Sequence, residues 1–376
     1  MPLPAPGVRR ALPALALATT LLASCAGGAR PAAGGSPAQD GASAPAPASG
    51  GAAQAPAAPV KVMIAQAVDN LAFAPVYVAR AKGYFTEEGV DADVTVVEGG
   101  NAATQAVVGR SAQLALSDSG EVTQANDKGV NLESVATVMG KLTMNLVMRK
   151  DLASQLNLTR QSPIADRLRA LKDRTIGITS PGAATEVFSS YYLRVEGFDP
   201  DRDAKMVAVG GGPSLLAALK QGQIDAFMLS PPVPETAVAD GYGTLLVSAS
   251  QGDVPQLNEF AYEVLYARKD YVDQNRDTVR RVARAIARGN NFTLDHTTAA
   301  RDIMPSFFKV KPELLSEAMD FLVPAVPRDA LGTEAAWAKA VEIHQQAGMI
   351  SKQLDSREGV LWTNEFLRDV NGLSDR

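Results

Sequence analysis

The 376-residue chain has one cysteine and two histidines. A lone Cys25 excludes an intramolecular disulfide and every metal site built on several cysteines. Only His296 and His344 can offer imidazole, so chemistry resting on histidine clusters is excluded as well. Both are expected as surface helix residues, His296 beside Asp295 and His344 near Glu342, and no metal or cofactor is expected. A basic surplus is also missing: 36 Lys and Arg face 41 Asp and Glu, a net charge of -5. Nucleic-acid partners need a basic face to neutralise phosphates, and none is expected here. The Gly-x-Ser-x-Gly elbow of Ser hydrolases and the Gly-x-x-x-x-Gly-Lys-Ser/Thr phosphate loop are both absent, so neither acyl transfer nor ATP hydrolysis is expected of this chain. What is present suits a large folded core: 46% hydrophobic residues, 20% charged, and length for about two domains.

The first 59 residues stand apart from that core. Arg9 and Arg10 precede an apolar run over residues 11–22, too short for the roughly 20 residues of a membrane span but of signal-peptide length. The run ends in Leu22-Ala23-Ser24-Cys25, which resembles the lipobox of bacterial lipoproteins, where the cysteine is lipidated and becomes the new N-terminus. Loss of residues 1–24 removes Arg9 and Arg10 and leaves 34 basic against 41 acidic side chains. Residues 26–59 hold only Ala, Gly, Pro, Ser and Gln besides Arg30 and Asp40. Nothing there offsets ordering entropy by burial, so residues 25–59 are expected to be a disordered tether whose ends lie roughly 30 Å apart. The resemblance implies attachment to a membrane by lipid, facing the periplasm or the cell exterior.

From residue 60 onward, strands and helices alternate. Residues 60–67, 94–97, 114–116, 175–179, 205–209 and 224–229 read as strands, and residues 73–89, 102–108, 186–196 and 214–221 as helices. That order predicts parallel pairing with right-handed crossovers, an α/β fold. The segments 106–117 and 216–230 echo one another, each running from helix through a polar turn to an apolar strand and a Ser loop. Two related lobes follow, predicted as residues 60–150 with 246–376 for the first and 151–245 for the second. Four late segments, 278–293, 312–321, 335–347 and 358–370, have helical periodicity and are expected to cover the first lobe.

In open parallel sheets, ligands bind beyond the carboxyl ends of strands, where helix N-termini and N–H groups face a crevice. Five loops fall there, and they supply the candidate ligand-binding residues Asp69, Asn70 and Phe73; Gly100 and Asn101; Ser117, Asp118 and Ser119; Ser180, Gly182 and Thr185; and Gly211. Ser230 ends a further strand, and Lys141 in Gly140-Lys141-Leu142-Thr143 is the nearest cation. Such loops suit an anionic solute held by N–H groups and hydroxyls. The carboxylates Asp69, Glu98, Asp118 and Glu121 oppose a bare anion if buried; with Asp69 or Asp118 in the cleft, a zwitterion or a neutral pyrimidine fits better. Phe73 is either a stacking platform or a core residue.

The stretch Phe73-Ala74-Pro75-Val76-Tyr77-Val78-Ala79-Arg80-Ala81-Lys82-Gly83-Tyr84-Phe85-Thr86-Glu87-Glu88-Gly89 resembles the first helix of periplasmic binding proteins for nitrate, sulfonates, taurine and thiamine precursors. Residues 217–226 and Ser180-Pro181-Gly182 are similar to that family's second-lobe helix and ligand loop. The resemblance implies a type II two-lobed periplasmic-binding-protein fold, each lobe a mainly parallel sheet flanked by helices, joined by a two-segment hinge placed near residues 145–155 and 240–250. It implies a monomeric, non-enzymatic solute-binding component of an ABC importer that delivers a small solute to a permease driven by a separate ATPase. The related branch that makes a thiamine pyrimidine depends on a His near the first helix and a Cys-rich iron motif, and this chain has neither.

Overall fold

The computed structural model describes residues 58–368. Cys25, the expected signal segment and nearly all of the expected tether lie outside the described residues. Among the described residues, ten strands form two five-stranded sheets. The first has the order β2 (Val90–Val96), β1 (Val60–Gln66), β3 (Leu114–Asp118), β10 (Glu263–Arg268), β4 (Leu132–Thr137). The second has the order β7 (Lys205–Ala208), β6 (Thr175–Ile178), β8 (Ala226–Leu229), β5 (Asn145–Arg149), β9 (Gly243–Ser248). Strands β3 and β4 are buried throughout and β10 nearly so, so the polar residues Ser117, Asp118, Glu133, Ser134, Thr137 and Glu263 that they carry are buried as well.

The two orders are the same arrangement twice. Three parallel strands are followed by one antiparallel strand and an edge strand, β10 being antiparallel to β3 and β4, and β5 to β8 and β9. The antiparallel strand in each sheet is the one that directly follows a crossing between sheets. The chain leaves the first sheet through residues 138–144 and returns through residues 249–262. The crossings lie side by side: the Tyr262 N–H donates to the Met139 carbonyl at 3.0 Å, and the Leu142 N–H to the Leu257 carbonyl at 3.3 Å. The first therefore lies just before 145–155 and the second overlaps 240–250 only at residues 249 and 250, because Asn145–Arg149 and Gly243–Ser248 already pair as strands of the second sheet.

Two other expectations are corrected. The single helix over 73–89 is broken at Gly83, whose φ of +74° ends the Ala74–Ala81 helix before a short turn of helix at Tyr84–Glu87. The helix expected over 358–370 is not formed in its described part. Instead Ser134 at the β4 edge donates to the Leu361 carbonyl and accepts the Thr363 N–H, each at 2.9 Å, and Trp362 stacks on Trp337. Pairing with a sheet edge replaces helical bonds and covers that edge.

The long Arg276–Asp295 helix lies against the Ala74–Ala81 helix, with Arg284 paired to Glu88 at 3.0 Å and Arg288 to Glu87. Gly289 sets how closely they approach, since a Cβ there would stand 2.2 Å from the Pro75 carbonyl oxygen. Gly to Ala inside a helix ordinarily stabilises by about 1 kcal/mol. Here the obstacle is backbone, so G289A is expected to destabilise by about 1–3 kcal/mol, read as a lower midpoint in urea denaturation.

Candidate functional site

The strand ends of the two sheets meet across one cleft. Its first wall is built from the loop after β1, the loop after β2 and the Asp118 end of β3; the second comes from Thr179, Ala183, Ala184 and Thr185 after β6, and Leu229 at the end of β8. Met144, Tyr262 and Glu263 from the crossings and the start of β10 close it at the back. The walls touch: the Leu71 N–H donates to the Pro231 carbonyl at 2.8 Å, and Gln124 Nε2 to the Gly182 carbonyl at 2.7 Å. The inner cavity has ≈ 20 Å³, room for about one water, so a solute can enter only when the walls part. Outside it, between the Gly100–Val108 and Ser119–Asp127 helices and the loop at Pro181 and Gly182, lies a vestibule of ≈ 530 Å³.

The candidate residues separate clearly. Asn70, Gly100, Ser117, Asp118 and Thr185 line the inner cavity, while Asn101 and Gly182 line the vestibule. Ser119 is buried beside Asp118 at the start of the helix. Ser180 Oγ faces Gly99 across the cleft, 2.7 Å from where a Cβ would stand. Ser230 lies behind the wall, 2.8 Å from the Thr143 hydroxyl and 3.2 Å from that of Tyr262. Four candidates lie elsewhere. Asp69 is exposed and accepts the Tyr77 hydroxyl at 2.5 Å; Phe73 is fully buried in the first-lobe core, because it ends the turn that seats the Ala74–Ala81 helix. Gly211 packs under the Glu98 side chain, and Lys141 is held at the crossing, where Nζ donates to the Ser250 carbonyl at 3.3 Å.

Among the described residues, no Lys or Arg lines the inner cavity. Carboxyl groups do. Asp118 caps its helix through the Gly120 N–H at 2.7 Å, and Glu263 is its direct cross-strand neighbour on β10. Glu121 follows one turn later; its carboxyl accepts the Thr104 hydroxyl at 3.1 Å and stands between cavity and vestibule. Gly100 makes room for it, because a Cβ there would lie 1.9 Å from Glu121 Oε1. Burial pushes Asp118 up to about 7, and burial with the nearby Asp118 charge pushes Glu121 to about 8. Glu263 is raised well above the carboxylate range by the same two causes.

Glu263 and Tyr262 escaped the sequence reading, since strand β10 lies far along the chain before a helical region. The β-prone run Tyr262-Glu263-Val264-Leu265-Tyr266 was the signal. His344 is corrected too: it is fully buried, its Nδ1 is 2.9 Å from the Thr123 hydroxyl and its Nε2 is 3.7 Å from Asp118. The Glu334–Gln346 helix turns this residue onto the Ser119–Asp127 helix, and desolvation lowers it to about 3, keeping it neutral. Among the described residues no group of three or more His, Cys, Asp or Glu could hold a metal, and no helix is long and apolar enough to cross a membrane.

These shifts set a pH dependence. Between about 4 and the raised values near 7 and 8, the unfolded carboxyls of Asp118 and Glu121 ionise while the folded ones keep their protons, so stability is lost as pH rises through that window. His344 acts oppositely, and only below its ordinary 6.5. The melting temperature of the solute-free protein should fall from pH 6.5 to 8, and D118N should flatten part of that fall; a melting temperature that holds or rises in wild type would contradict the assignment.

A family model described as the NMT1-like family matches residues 54–305. YtlA of Bacillus subtilis (strain 168), named provisionally as a binding protein, is 24% identical over 310 residues, covering 78% of this chain and 85% of YtlA. A solved protein from Bordetella bronchiseptica RB50 superposes with a TM-score of 0.72 at 24% identity, over 83% of this chain and 97% of that one. The periplasmic aliphatic sulphonate binding protein SsuA of Escherichia coli gives 0.59 at 16% identity, over 82% and 99%. The architecture is the periplasmic-binding-protein fold, and by the family match, which spans well over half of the sequence, the chain belongs to the NMT1-like family.

Proposed function

We propose that the chain is the solute-binding component of an ABC importer: a non-enzymatic, monomeric protein that captures a small organic solute between two lobes and presents it to a permease. Lipid on Cys25 and the Ala/Pro/Gly tether would hold it at the membrane, facing the periplasm or the exterior. The observation that carries this reading is the cleft itself. Two sheets of the same strand order turn their carboxyl ends toward one another, and two hydrogen-bonded crossings run between them at the back. Such a frame closes by rotation about residues 138–144 and 249–262, and closure is driven only by a solute that binds the closed form better.

Nitrate, a simple sulfonate and other bare anions are the ligands that kinship with the sulphonate-binding neighbour suggests. Three buried carboxyls and the absence of Lys or Arg in the inner cavity speak against them; taurine, a zwitterion, or an aminated pyrimidine meets the same walls more favourably. A surface lipoprotein without a transport role is the rival reading, and it has no use for a closable polar cleft.

Protein purified from its own host should carry a small solute by native mass spectrometry. Stripping that solute by unfolding and refolding should lower the melting temperature and raise the radius of gyration, and restoring it should reverse both. A protein that holds no solute and keeps one radius and one melting temperature would overturn the role.

A further inference from the structure

The chemistry of the solute can be taken further on the strength of that reading. Five buried oxygens about the cleft have no partner within the protein: Asp118 Oδ2, Ser119 Oγ, Glu121 Oε1, Glu263 Oε2 and Ser180 Oγ. Three belong to carboxyls in one continuous group, Asp118 opposite Glu263 on adjacent strands and Glu121 one helical turn beyond. A buried acceptor without a donor costs about 1–3 kcal/mol, and three together are retained at such a cost only where something supplies donors. No protein cation does so in the inner cavity; Lys128 stands at the vestibule rim, beyond Glu121.

An independent observation lies on the same cavity. Asn70 is 1% exposed, its Oδ1 is engaged by the Ala72 N–H at 2.9 Å, and its amide nitrogen is left without an acceptor. On the facing wall the Ala184–Val195 helix begins, with Ala183, Ala184 and Thr185 lining the cavity. The cleft thus offers acceptors of negative character in one region, and a single amide donor with a helix N-terminus in another.

We infer that the solute is a small molecule carrying a protonated amine, seated with its N–H donors among Asp118, Glu121 and Glu263, and with an acceptor end toward Asn70 and the start of the Ala184–Val195 helix. The amine makes N–H···O bonds to carboxyls that release their protons to water as it arrives. Ionisable neighbours do not substitute for it: His344 beside Asp118 is neutral, Tyr262 just before β10 and Tyr266 on it keep their protons, and Lys128 reaches Glu121 only from the rim. Solute binding is consequently coupled to proton release and tightens as pH rises.

The test starts from the solute released from host-purified protein, identified by mass spectrometry and returned to the stripped protein in calorimetric titrations at pH 6 and pH 8. The expected result is a solute with a protonatable nitrogen, an affinity about tenfold or more higher at pH 8, and proton release seen in buffers of different ionisation enthalpy. D118N and E121Q should each weaken binding at least tenfold and reduce the proton release. Two substitutions are used so that a folding failure of one, seen by its melting curve, leaves the other to decide. A captured anion without such a nitrogen, or an affinity that is flat or falls with pH, overturns the inference and leaves the solute-binding role standing. A protein that retains nothing overturns both.

Discussion

Everything in the molecule depends on the chain crossing twice between two sheets along a single seam. Residues 138–144 run out and residues 249–262 run back, hydrogen-bonded to one another, and each delivers the chain directly into an antiparallel strand. That strand sits between parallel neighbours and the edge strand of its sheet, so the seam is fixed to the interior of both lobes rather than to their rims. Val138 and Met139 both donate to the Glu263 carbonyl, at 2.8 and 3.1 Å, so the residue that contributes a cleft carboxyl is also the residue that receives the crossing. The path of the seam and the polar character of the cleft are linked through one backbone position.

The alternation of strands and helices was legible in residues 60–116 and 175–229 because local periodicity governs it, with β-rich runs at 60–67 and 175–179 and loops of Gly and Ser where helices begin; β4 and β5, between those stretches, were not read as strands. The cleft was half legible for the same reason. Asn70, Gly100, Ser117, Asp118 and Thr185 all lie at strand ends, and position in an α/β unit places them. What was not legible depended on partners distant in sequence. Glu263 reaches Asp118 only because β10 returns to pair with β3 across about 145 residues of intervening chain. His344 carries the pattern of an exposed helix residue, and only the packing of its helix on Ser119–Asp127 turns it inward. The segment after residue 358 has helical periodicity, but an open strand edge at Ser134 offered it better hydrogen bonds.

Family membership and cleft chemistry answer different questions. The fold shared with a sulphonate-binding neighbour fixes which loops converge, because strand order and crossings place them. It does not fix what the loops carry. At the β3 end this chain places Asp118 and then Glu121, and at the head of β10 it places Glu263, so the first lobe presents acid where the helix starts alone would favour an anion. The second lobe is different, with Thr179, Thr185 and a helix N-terminus and no carboxyl among its residues lining the inner cavity. The two walls are chemically unlike, and a solute that satisfies both must itself be polar in two senses.

That asymmetry bears on when the lobes close. Shutting Asp118, Glu121 and Glu263, neighbours in the first lobe, away from water requires either that they hold their protons or that a positive charge joins them, since neighbouring carboxylates without a cation repel one another. An empty closed cleft therefore carries protonated acids with unfilled acceptor positions, whereas a filled one exchanges those protons for the donors of a solute. In the proposed role, the free-energy difference between the two is what favours closure over the right solute. A cleft of hydroxyls and backbone N–H groups alone would close over many small anions. A buried group of carboxyls closes well only over a solute that neutralises it, and selectivity follows from the same burial that raises the acids.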